Sequence, residues 1–441
     1  MDFLHGNVKA IYLNYLSAAF GSALITSVYS IVDMAMVGQY QGPDGTAALA
    51  VVAPIWSIVF SLGLLMGIGG GVLFSTIRGG SGGRAGEENE YFTAAVIGSV
   101  ILAAAAWAAI LLLEAPLLRF FGADDALLPL ARTYLTPIRF VLPFFLFNQM
   151  LAAFLRNDNA PALATAGVLS GGIFNVFGDY VFVFVCDLGI FGAGLATAIG
   201  ACISFAVLMT HFRSRRNTLA LVRPRRLLVQ LRRIVVTGFS TFWIDVAMGV
   251  LTVLFNRQIM RYLGAGALSV YGIIVNVSTF VQCCAYSVGQ AAQPIISRNF
   301  GARQGLRIRQ TLRYALWTVA LFSLFWTVLV QAAPTLFVRV FMAPTPEVLS
   351  IAPDILRRYG LSFLLLPLNI FSTYYFQALM QPQASFLVSL ARGLVVSGAL
   401  ILLLPAAAGA DALWFAMPLT ELVVAGFSAA GIAHYTRRLT P

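Results

Sequence analysis

LAVVAPIWSIVF (Leu49–Phe60) and LSVYGIIVNVSTF (Leu268–Phe280) decide the fold of this chain. Each opens a long apolar run, passes through a Gly-rich stretch (GIGGG at Gly67–Gly71, SVGQAAQP at Ser287–Pro294) and ends in an arginine-bearing loop. The two copies lie roughly half of the 441 residues apart. A second echo supports the first: Arg132-Thr-Tyr134 with Pro143 beyond it, against Arg357-Arg-Tyr359 with Pro367. About 20 consecutive apolar residues are enough to cross a bilayer as a helix. The chain therefore reads as a membrane protein whose architecture is laid down twice.

Composition agrees. Apolar residues make up 59% of the chain and charged residues only 10%, and the mean hydropathy is +0.86. Soluble domains carry about 25% charged residues, so this sequence has too few to cover a water-facing surface. Twelve spans are expected, near 9–37, 47–77, 92–113, 129–155, 161–185, 188–212, 235–262, 267–297, 311–333, 352–380, 385–404 and 411–434. Each is apolar nearly all round, as suits helices facing lipid or a bundle core. The expected fold is an all-α polytopic membrane protein of twelve transmembrane helices in two pseudo-symmetric six-helix bundles. Residues 1–212 and 235–441 form the bundles, and 213–234 a basic linker. Six spans is an even number, so both halves share one orientation, and repeats of this sort flank a substrate path in transporters.

The formal net charge is +11, carried by arginine except for Lys9. A nucleic-acid surface does not follow, because the arginines cluster in loops between apolar runs. The central connection holds Arg213, Arg215, Arg216, Arg223, Arg225, Arg226, Arg232 and Arg233, and the loop after span eight begins with Arg298 and Arg303. The positive-inside rule then places both termini in the cytoplasm; Arg339, Arg357 and Arg358 are exceptions on the other side. ALVRPRRLLVQLRRIVV (Ala220–Val236) is expected to be an amphipathic segment lying on anionic lipid. The four cysteines have no metal-ligand spacing, and the glycine runs lack the lysine of a phosphate loop. Close helix approach is their expected role.

At this point the residues resemble those of the multidrug and toxic compound extrusion (MATE) transporters. DMAMVGQYQGPDGTAALAVVAP (Asp33–Pro54) is similar to the family's passage from helix one to helix two, and SVGQAAQPIISRNFGARQGLRIRQTLRYA (Ser287–Ala315) to its C-half signature. FLRNDNAPALA (Phe154–Ala164), NVFGDYVFV (Asn175–Val183) and FQALMQPQASFLVSLAR (Phe376–Arg392) follow in the family's order. The loop IRGGSGGRAGEENEYF departs, being looser than its C-half counterpart. The resemblance implies a V-shaped pair of bundles. It also implies an antiporter that exports organic, often cationic, compounds in exchange for protons or sodium by alternating access. A lipid-linked precursor flippase of the same superfamily is the alternative. No enzyme is expected: His5, His211 and His434 lie near span ends, and there is neither an HExxH nor a GxSxG.

Four carboxylates fall inside apolar runs: Asp33, Asp179, Asp245 and Glu421. Each charge at a helix centre costs about 2.5–3.5 kcal/mol even on a lenient scale. Asn175 and Asp179 are four residues apart and share one helix face. Asp33 lies 24 residues after Lys9 and Asp179 lies 23 after Arg156, so both sit toward the outer half of their spans. Thr197, ten residues past Asp187, lies about 15 Å down span six and reaches the same depth. These oxygens suit a hard cation, and two carboxylates in one apolar cavity do not both stay charged cheaply. By resemblance, Asp33, Asn175, Asp179 and Thr197 match the N-half cation site of the branch with an aspartate in helix one, with transient sodium at Asp33, Asn175 and Asp179. Asp245 is a candidate second coupling site. Met36, Asn148, Met150, Gln290 and Glu421 are candidate cavity-lining residues. No cofactor is expected beyond the coupling proton or sodium ion. The expected partners are small organic substrates and the lipid bilayer of a bacterial or archaeal cytoplasmic membrane, and the expected state is a monomer.

Overall fold

The computed structural model describes residues 2–80, 84, 86–341 and 346–439, which contain helices and no strand. A backbone in lipid must satisfy its own polar groups, and a helix does so within each segment. Ten helices among the described residues are long and apolar enough to cross a membrane. They are Val8–Gly42, Asp44–Gly79, Glu87–Phe120, Pro161–Val185, Gly189–Arg213, Leu227–Tyr262, Gly266–Gly301, Gly305–Ala332, Pro382–Ala408 and Ala410–Arg437. Span nine shows why such helices need lipid. Trp317, Leu321, Leu324, Phe325 and Val328 are each more than half exposed along one face, while Ala315, Val319, Ser323 and Val330 are buried on another.

The remaining two expected spans, four and ten, are broken. Span four is the pair Leu127–Ile138 and Leu142–Asn157, bent by 60°. Span ten is Pro346–Gly360, a 3₁₀ turn at Leu361–Leu364, and Leu366–Ala378. The second piece of each begins with a proline in its first turn, Pro143 and Pro367. Proline cannot supply the backbone N–H that would continue the preceding helix. The sequence echo thus marks matching breaks in the two halves. The first two spans part at Gly42, whose φ of 71° lies in the left-handed region that glycine adopts without strain.

The chain forms two compact units: residues 17–242, and residues 2–16 together with 243–441. In the first, spans two and seven touch through their backbones. A Cβ on Gly69 would stand 2.2 Å from the Ile234 carbonyl oxygen, and one on Gly238 2.1 Å from that of Leu65. The GIGGG run is therefore a packing surface. In the second unit the N-terminal segment is held by span nine and its approach: Arg307 donates to the carbonyl oxygens of Phe3 (2.9 Å) and Gly6 (2.7 Å), and Tyr12 to Thr318 (3.0 Å).

The central connection differs from its expected form. After a 3₁₀ turn at Thr210–Arg213, span seven begins at Leu227 rather than near residue 235, and residues 217–224 between them lie in neither helix nor strand. Four backbone N–H groups there donate to side chains of the first unit. Thr218 donates to Asp158 (2.9 Å), Ala220 to Asn89 (3.1 Å), Val222 to Thr93 (3.0 Å) and Arg225 to Glu90 (3.1 Å). Those acceptors replace the carbonyls of a helix, and Pro224 lacks a donor. Asp158 anchors this arrangement through Arg78 (2.6 Å) and His211 (2.7 Å). Burial alone would push its carboxyl up. Hydrogen bonds from His211, Thr218 and Arg78 outweigh that and hold it below its usual range.

Candidate functional site

Span five carries Asn175 and Asp179 on its buried face, 3% and 0% exposed. Immediately after Asp179 the helix widens into a π turn, Tyr180–Val185. Such turns shift the register of a helix and recur at functional positions. The face is brought against span six by small residues: a Cβ on Gly171 would lie 2.5 Å from the Gly200 carbonyl oxygen and 2.0 Å from Ser204 Oγ. This approach lets Asn175 Nδ2 donate to Thr197 Oγ1 at 3.0 Å. Span one completes the group. Asp33 Oδ2 accepts from Tyr134 Oη at 3.1 Å, and Asp179 lies within electrostatic range of both Asp33 and Tyr134.

The four residues expected to form a site therefore share one region of the first unit, with Tyr134 as a member that sequence reading does not single out. The only signal it carries in the sequence is its place in the repeat, two residues after Arg132. Asp33 Oδ1, Asn175 Oδ1 and both oxygens of Asp179 have no hydrogen-bond partner among the described residues. Buried carboxylate oxygens without partners are costly, and a proton or a hard cation satisfies them. A cavity of about 50 Å³ adjoins Asn175 and Thr197 and is lined also by Thr26, Tyr29, Asn148 and Gln149. A cavity needs about 10–15 Å³ to hold one water, so this one admits water or a small cation beside Asn175.

Asn148 lines this cavity and donates to the Ala201 carbonyl oxygen at 3.0 Å. Met150 lines a separate apolar chamber of the same unit. Met36 and Gln290 are half-buried on spans one and eight. Asp245 is half-buried in the second unit, with Tyr286 Oη 3.5 Å away at the limit of a hydrogen bond.

For Glu421 either helix packing or cavity lining is expected, and it joins neighbouring helices. It is fully buried and has partners: Arg392 Nε donates to Oε1 at 2.7 Å and Asn369 Nδ2 to Oε2 at 2.7 Å. Arg392 sits in a π turn of span eleven, Ala391–Val395, as Asp179 sits at the edge of one in span five. It ends the stretch FQALMQPQASFLVSLAR and falls inside the expected span 385–404, so the sequence places an arginine in the membrane but does not pair it with the carboxylate 29 residues on.

Fold and site together define a polytopic all-helical membrane protein with an internal carboxylate cluster suited to a small cation. A model of the MatE family matches residues 18–181 and again 246–401. The chain belongs to the MatE family, a family of membrane transporters rather than enzymes. It is 23% identical over 379 residues to the multidrug export protein MepA of Staphylococcus saprophyticus, covering 85% of this chain and 82% of that protein. Its fold matches a MOP superfamily transporter from Pyrococcus furiosus (TM-score 0.91, 16% identity, 99% of this chain and 98% of that one). It also matches an outward-facing multidrug resistance MATE family transporter (TM-score 0.86, 17% identity, with the same coverage of each).

Proposed function

We propose that this protein exports small organic, often cationic, compounds in exchange for protons or sodium ions, by alternating access. The observation that carries the reading is the set of four buried oxygens on Asp33, Asn175 and Asp179 without hydrogen-bond partners. A cation or proton there lowers the cost of two carboxylates near one another, and a cationic substrate competes for the same charge. Competition of that kind is what antiport requires, since ion and substrate must favour different states. Similarity to multidrug export proteins supports the substrate class. Arginine-rich loops support a cytoplasmic placement of both termini in a bacterial membrane, and a single chain suffices for this mechanism.

The test is efflux of a fluorescent cationic dye from proteoliposomes under a proton gradient or a sodium gradient, wild type beside Asp179→Asn. Wild type is expected to export under one of the gradients. The variant should fail to do so while still binding dye. An unimpaired variant would remove the site from coupling and turn attention to Asp245. A wild type that moves no dye under either gradient would overturn the substrate class.

A further inference from the structure

In the first unit, a chamber of about 400 Å³ lies between spans three, four and six and the central connection. Every lining side chain is apolar: Phe92 and Val96, Phe147, Met150 and Leu151, then Phe205, Met209 and Phe212, closed by Leu219 and Leu221. Its volume falls within the roughly 300–1,000 Å³ of ordinary ligand sites, but it offers no polar group to orient a polar ligand. Phe205 to Phe212 spans about 10 Å of helix at 1.5 Å per residue, so the chamber runs inward from the end where span six leaves the membrane. Its rim is open: Met209 is 41% and Leu221 69% exposed.

The rim is also strongly basic. Arg213, Arg215, Arg216, Arg223, Arg225 and Arg226 are all exposed on the segment that supplies Leu219 and Leu221. None has an ion-pair partner among the described residues. The acids at this end are largely engaged: Asp158 holds Arg78 and His211, and Glu87 and Glu90 both face Arg84. Glu88 alone remains against six arginines. The backbone, pinned at Thr218, Ala220 and Val222 to side chains of the first unit, fixes charges and leucines on one short strap.

The geometry points to a discrete binding site for one anionic phospholipid. An acyl chain occupies the aromatic chamber, and the phosphate headgroup lies against the arginines of the strap. The charge selects the lipid and the chamber retains it, which a basic surface alone does not do. Fixing the strap through a lipid also ties span six to span seven at the membrane boundary.

The experiment measures lipid binding by the purified full chain, independently of transport, using native mass spectrometry with dioleoyl phosphatidylglycerol, dioleoyl phosphatidylcholine and glycerol phosphate. Wild type should retain phosphatidylglycerol, bind phosphatidylcholine far more weakly, and ignore glycerol phosphate. Each arginine removed should weaken phosphatidylglycerol about fivefold, the equivalent of about 1 kcal/mol. The exposed triple variant Arg215→Gln, Arg216→Gln and Arg223→Gln should therefore lose on the order of a hundredfold. Val96→Phe, which fills the chamber, should weaken both lipids with the arginines intact. Equal retention of the two lipids by wild type would overturn the proposal. So would unchanged phosphatidylglycerol binding in the triple variant, or full competition by glycerol phosphate.

Discussion

Arg392→Met tests whether the buried pair in the second unit holds spans ten, eleven and twelve together. The substitution keeps a flexible apolar stem and deletes the charge. Glu421 then retains only Asn369 as a hydrogen-bond partner of its carboxylate. With side-chain exposures of 6% and 0%, solvent and salt screen the pair little. Removing one partner of such a pair costs about 3–5 kcal/mol, because the other charge stays buried and unmatched. Glu421→Gln leaves an amide oxygen for Arg392 but an uncompensated buried cation, and should likewise cost about 3–5 kcal/mol. The double variant Arg392→Met, Glu421→Met removes both charges. Asn369 keeps the Glu421 backbone carbonyl at 2.9 Å in either case. The double should therefore recover to within about 2 kcal/mol of wild type, since apolar replacements of whole buried pairs are often neutral. Reversible unfolding in mixed micelles with a denaturing detergent gives these differences, with fluorescence of the fully buried Trp414 as one signal. An Arg392→Met cost below about 1 kcal/mol refutes the reasoning. Additive single effects in the double variant refute it equally, because contacting partners must show a coupling energy.

Gly171→Ala should push span five from span six, since the Gly200 carbonyl oxygen cannot yield without backbone movement. A loss of about 1–3 kcal/mol and a fall in dye efflux are expected, measured on one preparation. Asp158 should give the protein an acid limb. Its folded carboxyl lies below the usual range, so its stabilising contribution is present above the unfolded value of about 3.9 and is lost as pH falls through the lower folded one. Asp158→Asn should lower the melting temperature at neutral pH and flatten that limb, read by thermal unfolding from pH 7 to pH 3. An unchanged limb would show that other carboxylates set it. Thr197→Val removes the acceptor for Asn175 Nδ2, and should weaken the dependence of efflux on the driving ion while leaving the folded state within about 1.5 kcal/mol; ion titrations of transport check it.

The helical class, the spans and the two-fold repeat are legible in the amino-acid sequence. They rest on local hydropathy and on short echoes such as Pro143 and Pro367, which need no long-range information. Asn175 and Asp179 are legible too, because four residues on a helix share a face whatever surrounds it. Their depth follows from counting residues from charged span ends. Other features needed tertiary structure. Tyr134 reaches Asp33 across 101 residues, and Arg392 reaches Glu421 across 29. Both contacts depend on how helices rotate about their axes, which hydropathy does not set when a helix is apolar all round. The π turns beside Asp179 and around Arg392 arise from backbone register and have no residue signature. The arginine and leucine spacing after Pro224 fits a helix, and the helix of span seven does begin at Leu227, but residues 217–224 before it lie in neither helix nor strand. What decides it is four side-chain acceptors, on Asp158, Asn89, Thr93 and Glu90, that take the backbone donors a helix would have used. A sequence dictates which groups a chain possesses and their local spacing; only packing determines which of them meet.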